Sequence, residues 1–254
     1  MKNYNTTDLN PQQTFERHVY HRDQFAHYLR WTHILKEARI GDRVCDFGCG
    51  NAALLEVFYR NRFKCESYCG IDIREKVIND NKDKFKNVEW AEFFAEDLVK
   101  PSGNVYFEAI QADKVCSFEV IEHVGKNNGE IFLDNFKKCG HKDSIYYLST
   151  PNYDEKVGAA GNHTYDSGDG LGNRPHEYTH EELQDLLISS GFKIINKFGT
   201  FASMKDYKSM LNDWQIQMFE NLKLYYDTNL ISNLMAPFFP EQSRNCLWIL
   251  KQKP

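Results

Sequence analysis

The sequence has no excess of positive charge and no long apolar run. Lys and Arg total 31 against 36 Asp and Glu in 254 residues, so the formal net charge is -5. A strongly basic balance, typical of proteins that bind a phosphate backbone or an anionic membrane, is absent. No stretch approaches the roughly 18–20 apolar residues that a membrane helix needs. We therefore expect no membrane partner.

Signals for paired cysteines and for secretion are also missing. No Cys-x-x-Cys pair occurs, which excludes a zinc ribbon and a thioredoxin-like motif. Most cysteines lie in apolar, strand-like runs, where a free thiol packs as a small hydrophobe. Residues 1–13 are polar and lack the apolar centre of a signal peptide. Buried, reduced thiols and this polar start predict a cytoplasmic protein. The seven cysteines are Cys45, Cys49, Cys65, Cys69, Cys116, Cys139 and Cys246.

Short β-rich runs alternate with helix-like segments from about residue 42 to 201, which predicts an α/β fold with a parallel sheet. Strands are expected at 43–47, 68–73, 88–94, 114–118, 144–148, 192–201 and 246–251. Thr179, with Glu182 three residues later, predicts a capping box at a helix start, and Gly191 suits the position after its end.

Three segments lie outside this alternation. Residues 1–39 are expected to form a helical cap on a catalytic domain at 40–254. The cap carries four of the nine histidines and a run of arginines between Arg17 and Arg30, which either pack and face solvent or form a lid over an anionic ligand. A glycine-rich loop at 157–175 and a helical, aromatic insertion at 204–244 are expected to cover the substrate. The insertion's aromatics fit a pocket wall, a dimer contact or simple core.

A glycine turn follows the first strand and opens a helix, the context of a nucleotide-binding fingerprint. It reads Asp46-x-Gly48-x-Gly50, and its glycines lack the Cβ that would obstruct a ligand. Asp72 ends the second strand 22 residues after Gly50, where a carboxylate can accept from ribose hydroxyls. The combination predicts a nucleoside-type ligand.

Two cofactor classes fit this turn. The dinucleotide pattern tolerates Ala53 at its third position, so an NAD(P)-dependent oxidoreductase is one alternative. Asp46 would repel a pyrophosphate and instead suits a cationic or amino-acid ligand. Glu96 and Asp97 end the third strand, where an adenine amino group could donate to an acid. These features favour a nucleoside cofactor with a positive charge.

These segments resemble the class I S-adenosylmethionine-dependent methyltransferases from about residue 40 to 251. Residues 44–50 match the family's first motif, Asp72 its ribose acid, and Asp97-Leu98 its adenine-binding turn. Residues 118–124, Phe-Glu-Val-Ile-Glu-His-Val, are similar to the fourth-strand motif of the ubiquinone-biosynthesis-like subgroup. The whole chain also resembles methyltransferases of tailed bacteriophages.

The resemblance implies a Rossmann-like, doubly wound, seven-stranded sheet, mostly parallel with an antiparallel last strand. Ala52 stands where the family usually has a third glycine, and an alanine fits there if its φ is negative. The implied cofactor is S-adenosyl-L-methionine, and its implied contacts are Asp46, Gly48, Cys49, Gly50, Asp72, Ile73, Asp97, Leu98, Phe118 and Glu119.

Methyl transfer is a displacement at an activated carbon, so the protein mainly positions an acceptor and excludes water. His123, Glu122 and Glu119 follow the fourth strand, where the fold delivers residues beside the methyl group. His123 is the first candidate for a base or acceptor-orienting residue. The alternative for Glu122-His123 is an acid in the first turn of a helix, where the dipole favours it.

No metal is expected, but Glu119, Glu122, His123 and His176 have the ligand types of a divalent site. Small-RNA 3′-terminal 2′-O-methyltransferases carry a similar set. The acceptor is an oxygen or nitrogen of either a small molecule or a nucleic acid, DNA adenine or RNA 2′-O. A silent binding protein that keeps the pocket is a further alternative, and a monomer or homodimer is expected.

Overall fold

The computed structural model describes residues 22–153, 176–202 and 207–253. The strands are β1 Arg43–Phe47, β2 Ser67–Asp72, β3 Ala91–Ala95, β4 Ala112–Phe118, β5 Gly140–Pro151, β6 Phe192–Ala202 and β7 Ser243–Gln252. The helices are α1 Arg22–Glu37, α2 Ala53–Arg60, α3 Glu75–Lys84, α4 Phe107–Ile110, α5 Gly129–Lys138, α6 His180–Ser189, α7 Asp213–Leu222 and α8 Thr228–Met235.

The strands form one sheet in the order β3-β2-β1-β4-β5-β7-β6. β1 to β5 pair in parallel, and β7 lies antiparallel between β5 and β6. The predicted Rossmann-like sheet is confirmed, with strand ends shifted by a few residues. The chain order reverses between β1 and β4, and in open α/β sheets a ligand binds at the carboxyl ends of the strands at such a point.

Apolar side chains are buried on both faces of the sheet. One core cluster joins β1, β4 and β5 to α5 and α6, with Phe47, Phe132 and Leu187 fully buried. The other packs α1, α2 and α3 against the opposite face, with Ile34 and Phe58 fully buried. Burial of apolar area on both faces holds the helices to the sheet and leaves the strand ends to form a site.

The helical insertion has a core cluster of its own. Phe219 of α7 and Ile231 and Met235 of α8 pack together with Tyr207. The prediction of a largely helical insertion is therefore confirmed for residues 207–242. Residues 203–206 lie outside the described part of the chain, as do residues 1–21 of the predicted N-terminal cap and the whole predicted loop at 157–175.

Several local predictions are confirmed. Thr179 and Glu182 form the capping box at the start of α6, with Thr179 Oγ1 accepting from the Glu182 N–H at 3.1 Å. Gly191 follows that helix with a φ of 87°. All seven cysteines are free, six of them buried. Within the described ranges, every helix is too short or too polar to cross a membrane.

Candidate active site

The glycine turn after β1 is pressed between β2 and the segment that follows β4. The N–H groups of Gly48 and Cys49 both donate to the Ile71 carbonyl at 2.8 Å. Gly48 has a φ of 92°, and a Cβ there would lie 2.4 Å from Cγ2 of Val120. Only glycine fits this position, because the left-handed φ and the methyl groups of Val120 both exclude a side chain.

Ala52 does not follow the sequence expectation. Its φ is 54°, in the left-handed region, so the expected negative φ is wrong. The cause is the geometry of the turn: the Ala52 N–H donates to the Cys49 carbonyl at 2.8 Å, and Ala52 is then the N-cap of α2. A side chain in this conformation costs about 1–2 kcal/mol, which a glycine at the same position would avoid.

Asp46 lies under the turn as a buried carboxyl group. The Tyr68 hydroxyl donates to its Oδ2 at 2.7 Å. Burial raises the pKa of Asp46 to about 7, the Tyr68 hydrogen bond partly offsets this, and the charge of Asp72 adds to it. A carboxyl group with a pKa of about 7 is only partly ionised at neutral pH, and a neighbouring cation would favour its ionised form.

Asp72 lies at the end of β2 beside the turn, as predicted. Its Oδ2 accepts from the Gly50 N–H at 2.9 Å, which ties the acid directly to the glycine turn. Arg74 donates to the same carboxylate through its backbone N–H, Nε and Nη2, at 3.0, 2.9 and 3.2 Å. The Arg74 side chain is 54% exposed, and Ile73 between them is also exposed. A ligand at Asp72 therefore competes with a solvent-facing guanidinium.

The two acids after β3 have different environments. Glu96 is buried and accepts from the Ser102 N–H, the Ser102 hydroxyl and the Asn104 N–H at 2.5, 2.9 and 2.7 Å. Burial opposes its ionisation, but these hydrogen bonds lower the pKa of Glu96. Asp97 uses Oδ1 to accept from the next turn, at 2.8 Å from Val99 N. Asp97, beside the buried Leu98, is therefore the acid that can face a ligand, while Glu96 holds its own loop.

Glu119, directly after β4, is enclosed by donors from three other elements. Arg30 Nη1 of α1 and the Ser149 hydroxyl of β5 each donate to Oε1 at 2.7 Å. Asn245 Nδ2 of β7 donates to Oε2 at 2.7 Å. Arg30 is itself buried, so at this residue the cap helix packs into the site instead of facing solvent. Phe118, which ends β4, packs on the opposite core cluster.

Glu122 and His123 lie in a turn at 121–124, and α5 begins only at Gly129, so a helix-dipole role for them is wrong. Glu122 is fully buried and accepts from the Thr150 hydroxyl at 2.9 Å. Burial, with the charge of Glu119, raises the pKa of Glu122 well above its ordinary value. His123 Nε2 lies 3.8 Å from Glu122 Oε1.

His176 reaches the same neighbourhood through its backbone. Its N–H donates to the Glu122 carbonyl at 2.7 Å, while its Nε2 lies 3.9 Å from a carboxylate oxygen of Glu182. Among the described residues, no group of three or more His, Cys, Asp or Glu side chains is arranged to hold a metal ion. The structure thus brings Glu119, Glu122, His123 and His176 into one region without assembling them as a ligand set.

The insertion's aromatics divide between core and surface. Phe219 is buried, whereas Trp214 and Tyr225 are 67% and 81% exposed. They bound a surface groove of about 310 Å³ on α7, together with Gln217, Met218, Asn221 and Leu222. Simple core is therefore the wrong interpretation for Trp214 and Tyr225.

The sheet order and the site at its switch point define a Rossmann-like α/β fold of the methyltransferase type. The sequence profile of the methyltransferase domain matches residues 20–197, more than half of the chain, and the chain belongs to this family. No curated protein sequence matches it.

Solved structures agree on the fold. An S-adenosylmethionine-dependent methyltransferase from Mesorhizobium loti has a TM-score of 0.60 and 16% identity over 91% of this chain and 100% of that one. Magnesium protoporphyrin IX methyltransferase from Synechocystis, with bound SAH, has a TM-score of 0.56 and 16% identity over 97% and 89%. The methyltransferase domain of bacterial CtHen1-C has a TM-score of 0.56 and 16% identity over 92% and 100%. At these identities the likeness shows the fold alone.

Proposed function

We propose that the protein is an S-adenosyl-L-methionine-dependent methyltransferase that modifies an oxygen or nitrogen of its acceptor. The observation that carries this proposal is the direct link between the glycine turn and the acid after β2, Gly50 N–H to Asp72 Oδ2 at 2.9 Å. This link lies at the switch point of the sheet of a methyltransferase-domain protein. Because residues 118–124 resemble the motif of the ubiquinone-biosynthesis-like subgroup, a small molecule is the first acceptor class that we propose.

The residues present fit this cofactor. At Gly50 a Cβ would meet only Arg74 Nη2, at 3.6 Å, so the backbone there is open to close approach by a ligand. The buried carboxyl group of Asp46 suits a cationic end, and Asp72 suits ribose hydroxyls once Arg74 yields. We assign the remaining cofactor contacts to Ile73, Asp97, Leu98 and Phe118, whereas both carboxylate oxygens of Glu119 already accept hydrogen bonds.

When bound, the cofactor supplies a methyl group that is already activated as a sulfonium. What the chain must supply is orientation of the acceptor and removal of its proton. We assign the proton acceptor to His123, whose side chain is 16% exposed. Glu122 lies behind it, with Oε1 3.8 Å from His123 Nε2, and burial favours the protonated form of Glu122, which cannot take the proton itself.

The test is incubation of the protein with methyl-labelled cofactor and separate small-molecule, RNA and DNA fractions. We expect label in one fraction, lost in Asp72→Ala. Asp113→Ala is the matched control, because Asp113 also accepts a backbone N–H, from Arg43 at 2.7 Å, but lies at the amino end of β4. His123→Ala should slow transfer while cofactor binding is kept, and His141→Ala should not.

The other outcomes are distinct. Binding of S-adenosyl-L-methionine without label in any fraction would identify a silent binding protein. Binding of NAD(P) instead of S-adenosyl-L-methionine would indicate an oxidoreductase. Unchanged labelling by Asp72→Ala would refute the ribose assignment.

A nucleic-acid acceptor is the second candidate, and the groove on α7 is the feature that favours it. Exposed aromatic rings stack on unpaired bases, and Trp214 and Tyr225 flank the amides of Gln217 and Asn221 there. We expect such an acceptor to bind less tightly as salt rises and to lose affinity in Trp214→Ala. Labelling of RNA or DNA that is unaffected by both would exclude this role for the groove.

A further inference from the structure

We propose that Arg30 is a positioning residue that fixes the turn after β4 through Glu119 and so makes α1 part of the active site. For its effect on the reaction rate, this inference rests on the proposed methyl transfer. Its effects on local structure and on cofactor binding do not require that transfer.

The backbone at Glu119 needs external support. Its φ is 57°, in the left-handed region. For a residue with a side chain this conformation is strained, and it persists only where the surroundings over-determine it. Among the described residues, Ser149 and Asn245 of the sheet and Arg30 of α1 donate to its carboxylate. The Glu119 N–H also donates to the Ser149 carbonyl at 2.9 Å.

The Arg30–Glu119 pair is almost wholly removed from water. The two side chains are 2% and 9% exposed, and Arg30 Nη1 also donates to Asn245 Oδ1 at 3.0 Å. Burial lowers the pKa of His27 well below its ordinary value, and the charge of Arg30 lowers it further. His27 is therefore neutral and accepts from Arg30 Nη2 at 2.6 Å. Removal of one charge from such a pair leaves the other buried and uncompensated.

The pair connects to the glycine turn through one residue. Val120 follows Glu119 and packs on Gly48 so closely that a Cβ would not fit between them. A rotation of the backbone at Glu119 therefore moves the wall of the turn. With both carboxylate oxygens already accepting hydrogen bonds, Glu119 is poorly suited to act as a base, and its contribution is to hold this wall.

The experiment is a double-mutant cycle on the full chain with Arg30→Met, Glu119→Gln and both together. We expect each single change to lower kcat by about 10- to 100-fold, the range for a small misplacement of reacting groups. The double variant should be no worse than the single ones, because the two residues act as a unit. Hydrogen exchange of the peptide spanning 118–124 should be faster in Arg30→Met than in the parent protein.

Arg60 and Glu56 provide the matched control. They form an exposed pair along α2, with Arg60 Nε 2.8 Å from Glu56 Oε1. Arg60→Met and Glu56→Gln should each leave kcat within about twofold, as expected for a surface pair.

Two results would overturn the inference. In the first, Arg30→Met lowers the Tm but, at temperatures well below that Tm, leaves kcat, cofactor affinity and hydrogen exchange at 118–124 unchanged. This is the result expected for a merely structural role. The other is effects of the single changes that multiply in the double variant. If Arg30→Met does not fold, Arg30→Lys takes its place in the same measurements. This variant keeps the positive charge but loses the hydrogen bonds to Asn245 and His27. If the parent protein transfers no methyl group, cofactor affinity and exchange decide alone.

Discussion

Replacement of Gly48 by alanine tests the contact that joins the two halves of the site. The added Cβ would lie 2.4 Å from Val120 Cγ2 and 2.9 Å from Cγ1. Valine is stiff at χ1, so these methyl groups cannot simply rotate away. The turn or the segment after β4 must therefore shift, and we expect both stability and cofactor affinity to fall.

The expected cost has two parts. A φ of 92° is strained for alanine by about 1–2 kcal/mol. Overpacking adds about 1–3 kcal/mol, which gives about 2–5 kcal/mol in the free energy of unfolding. Gly103 separates the parts, because its φ is 91° and a Cβ there meets nothing within 4 Å. Gly103→Ala should show only the backbone cost.

The assay is urea unfolding of Gly48→Ala, Gly103→Ala and Gly48→Ala with Val120→Ala. The added Val120→Ala change removes both methyl groups, so it should recover part of the overpacking cost. Equal stability of Gly48→Ala and Gly103→Ala would refute the reasoning, since the close packing of the turn would then have no energetic consequence. A double variant less stable than Gly48→Ala by the full cost of removing the methyl groups of a partly buried valine would also count against it.

Four further substitutions have definite expected results. Since the pKa of Asp46 is raised to about 7, a cationic cofactor should bind more weakly at about pH 6 than at about pH 8 in calorimetry, and Asp46→Asn should flatten this dependence. The pKa of Glu122 is raised in the folded state, so the free energy of unfolding should fall as pH rises above the ordinary glutamate pKa of about 4.3. In urea unfolding, Glu122→Gln should remove the contribution of Glu122 to this pH dependence. An unchanged dependence of the free energy of unfolding on pH would contradict the raised pKa of Glu122. Thr179→Ala should cost about 1 kcal/mol through loss of the capping box, as should Asn212→Ala at α7, and no loss in either would contradict the capping role.

The features that the sequence predicted correctly depend on short-range patterns. The glycine turn, the acid after β2 and the capping box at Thr179 each involve residue types with one strong local preference. Strand and helix alternation then determined which edge of the sheet these residues share. Ala52 shows the limit of local reasoning, because its left-handed φ is imposed by the turn against its own preference.

The acids show what local pattern cannot supply. Asp72, Glu96 and Glu119 are the same type of group at the same edge of the sheet, and residue type alone does not tell which of them is available to a ligand. The structure separates them by which donors each already has: an exposed arginine two residues away, the N–H groups of its own loop, or a buried arginine 89 residues earlier. The first kind of donor can yield to a ligand, the second holds a loop, and the third holds a strained backbone. Only the nearest of these, Arg74, could have been anticipated from spacing, since an arginine two residues after a strand-end acid can reach its carboxylate. Arg30 could not, because its partner is set by how α1 packs across β4, β5 and β7. The type of a residue thus determines its chemistry, but its tertiary neighbours determine whether it is available to a ligand. At this site those neighbours include α1 of the cap.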